Sequence, residues 1–203
     1  MLKELREEVY EANIELKRRG LVIYTFGNVS GIDRERGIVA IKPSGVDYDT
    51  LAPENIVLVD IKGDIVEGDL NPSSDTKTHL ALYREFSEIG GVVHTHSQYA
   101  TAWAQAEKPL PCLGTTHADY FYGEIPCTET ISDNQIEKDY EEETGIQIVH
   151  KFENIDYRSI KAVLVANHGP FVWGKTPADA VYSSVMLEEV ARIGYLTVMI
   201  NPD

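Results

Sequence analysis

The amino-acid sequence predicts an α/β fold in which a mixed, mostly antiparallel sheet is covered by helices. Three observations carry this. Segments with helical periodicity alternate with short apolar runs along the chain, the interleaving expected of helices laid on a sheet. Some successive runs are separated only by tight turns, as in hairpins. No GxGxxG follows any strand-like run, so nothing indicates a parallel dinucleotide-binding sheet. At roughly 150 residues per domain, the 203 residues are expected to form one domain, 1–203.

The elements follow in order. Leu5, Val9, Ala12 and Leu16 lie on one helical face, with glutamates early, Lys17, Arg18 and Arg19 in the last turn, and Gly20 as a stop. Residues 21–30 and 37–45 read as short strands ending in Gly/Asn/Ser and Pro/Ser/Gly turns. Residues 55–69 read as a hairpin around Gly63 and Asp64. A helix is expected from Thr76 to Ser87, then a buried strand at "GGVVHTH" and a helix from Tyr99 to Gln105. The Pro- and Gly-rich stretch from Glu107 to Thr130 reads as a long loop with short strands, and Ser132 to Thr144 as an acidic helix. "AVLVANHGPFVWG" reads as strand, Gly-Pro turn, strand. Thr176 and Asp179 cap a long final helix, with Pro177 at its first position.

Composition narrows the function classes. The chain is 43% hydrophobic and 25% charged, with a formal net charge of −15, which argues against nucleic acid or anionic membrane as a partner. No apolar run approaches the ~20 residues of a membrane span. The first residues are charged throughout, without a signal-like apolar core. A cytoplasmic protein is expected. Cys112 and Cys127 lack CxxC spacing and read as free thiols. An anionic ligand would have to be held by local donors and cations against the protein's own field.

The chemistry centres on "GGVVHTHSQYA". On a strand, residues two apart share a face, so His94 and His96 would present both rings together. A transition metal accepts such a pair but requires further ligands. His168 ends another apolar run, and Asp75 starts a helix with His79 one turn along; His117 and His150 lie further off. Spacing leaves two readings open, satisfied strand-end histidines or a metal clamp, and the clamp would favour zinc. "GNVS", "KPSG" and "SSDT" are compatible with anion grips, the last at a helix N-terminus. Each is equally a good turn or cap.

Taken in order, "GNVS", "IKPSGVDY", "PSSDTKTH", "GGVVHTHS", "GTTHADYFYGEIPCT" and "NHGPF" resemble the class II aldolase (aldolase/epimerase/adducin head) family, and within it the L-ribulose-5-phosphate 4-epimerases. The resemblance implies a three-layer α/β/α sandwich and a homotetramer with active sites between subunits. It makes His94, His96 and His168 ligands of Zn2+, or of Mn2+ or Co2+, with Asp75 at the metal where the aldolases carry a glutamate base. Gly27, Asn28, Ser44, Gly45, Ser73 and Ser74 become substrate and phosphate contacts, with Lys42 nearby. Asp119 becomes the acid/base on the C4 oxygen, reaching in from an adjacent subunit, with Thr115 and Glu141 shaping that site. The implied reaction inverts C4 of a pentulose 5-phosphate (L-ribulose 5-phosphate to D-xylulose 5-phosphate) by retro-aldol cleavage, aldehyde rotation and aldol recombination. The family's second acid/base, a tyrosine near a longer C-terminus, has no counterpart after Tyr195, so that role is unassigned. Rival readings are a class II aldolase on a related sugar phosphate, a related pentulose-phosphate 4-epimerase, and a non-catalytic interaction module of the same fold.

Overall fold

The computed structural model describes residues 2–202. In chain order the helices are α1 (Lys3–Arg18), α2 (Thr76–Glu85), α3 (Gln98–Gln105), α4 (Thr115–Ala118), α5 (Asp133–Lys151) and α6 (Pro177–Ile200). The strands are β1 (Asn28–Asp33), β2 (Ile38–Ile41), β3 (Val57–Asp60), β4 (Ile65–Glu67), β5 (Gly91–His94), β6 (Ala162–Val165) and β7 (Gly169–Gly174). They form one seven-stranded sheet in the order β4-β3-β2-β1-β5-β7-β6.

Every pairing in that sheet is antiparallel. The mixed sheet expected from sequence is therefore antiparallel among the described residues, apart from one isolated parallel bridge between Cys127 and Leu164. Period-two alternation sorts the faces. On one side Gly31 approaches Val9 of α1 and Pro177 of α6, and α3 packs beside α6. On the other, Ser30 meets His79 and Tyr83 of α2, and α2 packs along α5. The three layers enclose a core that includes Val29, Val39, Val59, Val93, Phe171 and Trp173, all fully buried. No helix among the described residues is long and apolar enough to cross a membrane.

Four expectations change. Residues 21–27 form a loop rather than the start of β1: Tyr24 adopts φ +54°, a turn links Phe26 N–H to Ile23 O, and Ile23 and Tyr24 are 65% and 77% exposed. β5 stops at His94, so His96 lies in the segment leading into α3. The β6–β7 turn is Ala166–His168, with Asn167 at φ +62°, a left-handed position that asparagine tolerates. Gly169 and Pro170 already belong to β7. Finally, α5 runs through Gly145 to Lys151, because tertiary packing against α2 overrides the helix-weakening glycine.

Asn13 ties α1 to the sheet. Fully buried, it donates to Val9 O at 2.8 Å and Val29 O at 3.2 Å, while its Oδ1 accepts from Val29 N–H at 3.0 Å. Removing it strands a buried backbone donor next to Asn28, at a cost of about 2 kcal/mol. Asn13→Leu is expected to lower the thermal midpoint by roughly 4–8 °C, read by calorimetry. An unchanged midpoint would show that this bridge is not structural.

Candidate active site

The site forms where three strand ends meet. Asn28 opens β1 and pairs in register with His94 at the end of β5. His94 in turn pairs with Phe171 of β7, which follows directly on the turn bearing His168. The ring of His94 stacks on Phe171, with centroids 4.3 Å apart. Its Nδ1 lies 3.0 Å from Pro170 O, and donation there leaves Nε2 as the free lone pair, the arrangement typical of a metal-ligating histidine. His94 Nε2 lies 3.0 Å from His96 Nε2.

The ligand atoms of His94, His96 and His168 all lie within 4.8 Å of one another. Bonds of 2.0–2.1 Å to a tetrahedral ion would separate its ligands by about 3.3 Å, so small side-chain adjustments suffice. Two further observations fit a cation. His168 Nδ1 is a buried nitrogen with no hydrogen-bond partner among the described residues. Burial, together with neighbouring His94, holds the His96 and His168 imidazoles below the usual histidine range, His168 at about 3, although Asp75 opposes this. Both rings are thus neutral ligands at neutral pH. The donor set suits a borderline divalent ion.

Asp75 occupies the N-cap position of α2 without a side-chain cap bond, so its carboxylate is turned to the same cavity, which it lines. Its Oδ2 accepts from Asn28 Nδ2 at 2.7 Å and from Ser73 Oγ at 3.4 Å. Burial opposes its ionisation, but His94, His79, the Asn28 bond and His168 outweigh that and hold the carboxyl below its usual range. Asn28 also donates to Ser73 Oγ at 3.0 Å, while its Oδ1 is buried without a partner among the described residues.

The cavity, of about 350 Å³, is lined by Gly27, Asn28, Lys42, Ser44, Gly45, Ser73, Ser74, Asp75, His94, His96 and His168. Every substrate and metal position expected from sequence is therefore in one place. Gly27 is required by geometry: at φ +77°, a Cβ would sit 2.9 Å from His94 O. Tyr48 pins this loop through its O–H to Gly27 O at 2.8 Å, and the Lys42 ammonium lies 4.7 Å from the Tyr48 ring centroid. Lys42 is buried, makes only 3.4 Å contacts to Thr25 O and Pro43 O, and forms no ion pair among the described residues. Burial lowers its pKa to about 8, against the pull of Asp47.

Asp119, by contrast, sits exposed at the end of α4 and does not line this cavity; nor does Thr115. Glu141 does line it, within the same chain. The remaining histidines stand apart from the cluster. His79 is wholly buried and bonded to Ser30 Oγ at 2.7 Å, His117 to Gly123 O at 2.7 Å, and His150 of α5 sits beside Glu153, just past the end of that helix. Sequence reasoning missed Phe26 and Tyr140, whose rings lie 5.9 Å from His96 and 5.6 Å from His168. No local spacing signals either one. Burial, with the charges of Asp75 and Glu141, raises the Tyr140 phenol pKa against an opposing Thr144 hydrogen bond.

Comparison with known proteins places this architecture. The chain is similar to L-fuculose 1-phosphate aldolase, with 28% identity and a TM-score of 0.82 over 98% of this chain and 88% of that one. It is also similar to YgbL of Klebsiella pneumoniae, a candidate aldolase/epimerase/decarboxylase, with 27% identity and a TM-score of 0.73 over 98% and 91%. The L-fuculose-1-phosphate aldolase of Thermus thermophilus, 24% identical with a TM-score of 0.72 over 98% and 96%, shares the fold. The family model for the Class II Aldolase and Adducin N-terminal domain matches residues 7–195, and the chain therefore belongs to that family.

Proposed function

We propose that this protein is a divalent-metal-dependent enzyme that breaks and re-forms a carbon–carbon bond of a phosphorylated sugar, and that its net reaction inverts C4 of L-ribulose 5-phosphate to give D-xylulose 5-phosphate. One observation carries the reading. A single cavity joins a three-histidine cluster to a buried lysine that forms no ion pair among the described residues. Such a cavity suits a ligand with metal-chelating oxygens at one end and an anion at the other.

In this reading His94, His96 and His168, with Asp75, hold zinc or another divalent ion. When bound, the ion supplies Lewis-acid stabilisation of charge on the sugar oxygens. Asn28, its Oδ1 free, accepts a sugar hydroxyl. Gly27, Ser44, Gly45, Ser73 and Ser74 grip the phosphate beside Lys42, which keeps the cleaved fragment in place until it recombines. Asp119 is exposed and outside its own chain's cavity, which is compatible with service to a neighbouring subunit of a homotetramer as the acid/base on the C4 oxygen. Asp75 grips Asn28 at the position where the aldolases of the family carry a glutamate base, and this shorter carboxylate favours epimerase over aldolase. Likeness to L-fuculose 1-phosphate aldolase keeps aldol cleavage with release of the fragments as the second reading. A net charge of −15 keeps nucleic acid and anionic membrane off the list of partners.

Incubation of zinc-loaded protein with L-ribulose 5-phosphate is expected to yield D-xylulose 5-phosphate without free aldehyde. Stoichiometric aldehyde release without C4 inversion would replace epimerase by aldolase. His96→Ala should lose both bound zinc and activity, whereas Asp119→Asn should keep the metal and lose turnover; zinc loss in the Asp119 variant would contradict this division of labour. Lys42 supplies a pH signature. Its charge is lost as pH rises through about 8, so KM for the phosphorylated substrate should climb there. Lys42→Met should raise KM by about 10- to 100-fold and abolish the climb. Stability moves the other way: the unfolded chain holds its lysine proton up to the ordinary value, so between about 8 and that value this group's contribution to folding rises with pH.

A further inference from the structure

We propose that Tyr140 is an oxyanion donor of this site, its phenol O–H hydrogen-bonding the sugar oxygen on which negative charge develops beside His168. The inference rests on the carbon–carbon cleavage proposed above and adds to it a residue of the chain's own cavity.

The starting observation is a break in α5. At Asp139 the backbone leaves the helix, with φ −172° and ψ 93°, and the helix restarts at Tyr140. Neither proline nor glycine stands at the break, so tertiary contacts impose it. Asp139 caps the restarted segment through Oδ1, which accepts from Glu142 N–H at 3.3 Å, and it also pairs with Lys77 of α2. Thr78 of α2 donates to Glu141 O at 2.6 Å, and Thr144 donates to Tyr140 O at 2.8 Å. These contacts fix the first turn of the restarted helix over the cavity, where Tyr140 and Glu141 join the lining.

Two aromatic side chains of that lining touch the histidine cluster. Phe26, 5.9 Å from His96, brings no polar atom. Tyr140, 5.6 Å from His168, brings a hydroxyl. A hydrophobic wall would be served as well by either ring. A phenol carried into the cavity on a backbone held by these contacts is instead a hydrogen-bond donor, useful where charge grows in the transition state. The donor keeps its proton, so this role needs no base of its own.

The test uses zinc-loaded wild type, Tyr140→Phe and Tyr140→Leu. Three quantities are read: bound zinc, turnover of L-ribulose 5-phosphate, and calorimetric affinity for glycolohydroxamate, a planar, unphosphorylated mimic of the C1–C3 enediolate that the proposed cleavage leaves. Tyr140→Phe is expected to keep its zinc, its KM and its affinity for inorganic phosphate. Its kcat and its affinity for the mimic should each fall by about 100-fold, as for loss of one oxyanion donor. Tyr140→Leu, which removes the wall as well, should in addition raise KM. If Tyr140→Phe stays within about threefold of wild type in kcat and mimic affinity, the donor role is overturned and only the wall remains. Weakened mimic binding in a protein whose wild type turns over no pentulose 5-phosphate would refute the reaction while upholding the donor. Failure of zinc-loaded wild type to bind the mimic at all would refute both.

Discussion

The site depends on the register at which β5 is held between β1 and β7. Pairing of His94 with Asn28 on one side and Phe171 on the other puts the first imidazole, the carboxamide that grips Asp75, and the turn carrying His168 at one corner of the sheet. A slip of one residue would send His94 to the opposite face. The other end of β5 guards against this. A Cβ on Gly91 would come within 2.5 Å of Pro177 backbone atoms at the start of α6, so only glycine fits there and the strand has a single seat. The pair of glycines opening "GGVVHTH" and the pair of histidines closing it are therefore two ends of one constraint.

Electrostatics then divide the cavity. In a chain of net charge −15, burial keeps His96 and His168 neutral, and Asp75 remains ionised beside them. That corner offers lone pairs and one negative charge to a cation. Across the cavity, Lys42 is lodged over the face of Tyr48, and Tyr48 also fastens the Gly27 loop. A desolvated ammonium with weak protein contacts retains most of its interaction strength for a ligand. The acidic surface and the anion-compatible pocket coexist because the cation is buried, out of reach of the glutamates outside.

Much of this was legible in the sequence, for identifiable reasons. Helices α1 and α6 declared themselves through periodicity and through the Thr176–Pro177 cap, whose hydroxyl does accept from Asp179 N–H. The β3–β4 hairpin followed from Gly63 and Asp64. The loop at 21–27 did not, because "LVIYTF" has the composition of a strand and only the left-handed turn at Tyr24 breaks it. The expectation that His94 and His96 meet was met by a route that strand periodicity did not describe. β5 ends at His94, and the two rings converge edge-on at 4.8 Å because the chain turns between them. Spacing alone could not choose among His79, His117, His150 and His168; that choice came with the resemblance and with the β6–β7 turn. Tyr140 was invisible for a deeper reason. It enters the cavity only because α2 breaks α5 at Asp139, a contact between segments some sixty residues apart.

The central claim is that three histidines form a ready-made divalent-metal centre. X-ray absorption at the zinc edge of the zinc-loaded protein tests it most directly. The account predicts three imidazole nitrogens with oxygen completing the coordination, at about 2.0–2.2 Å. A sulfur neighbour at about 2.3 Å, which would implicate Cys112 or Cys127, or fewer than three imidazoles per zinc, would contradict it.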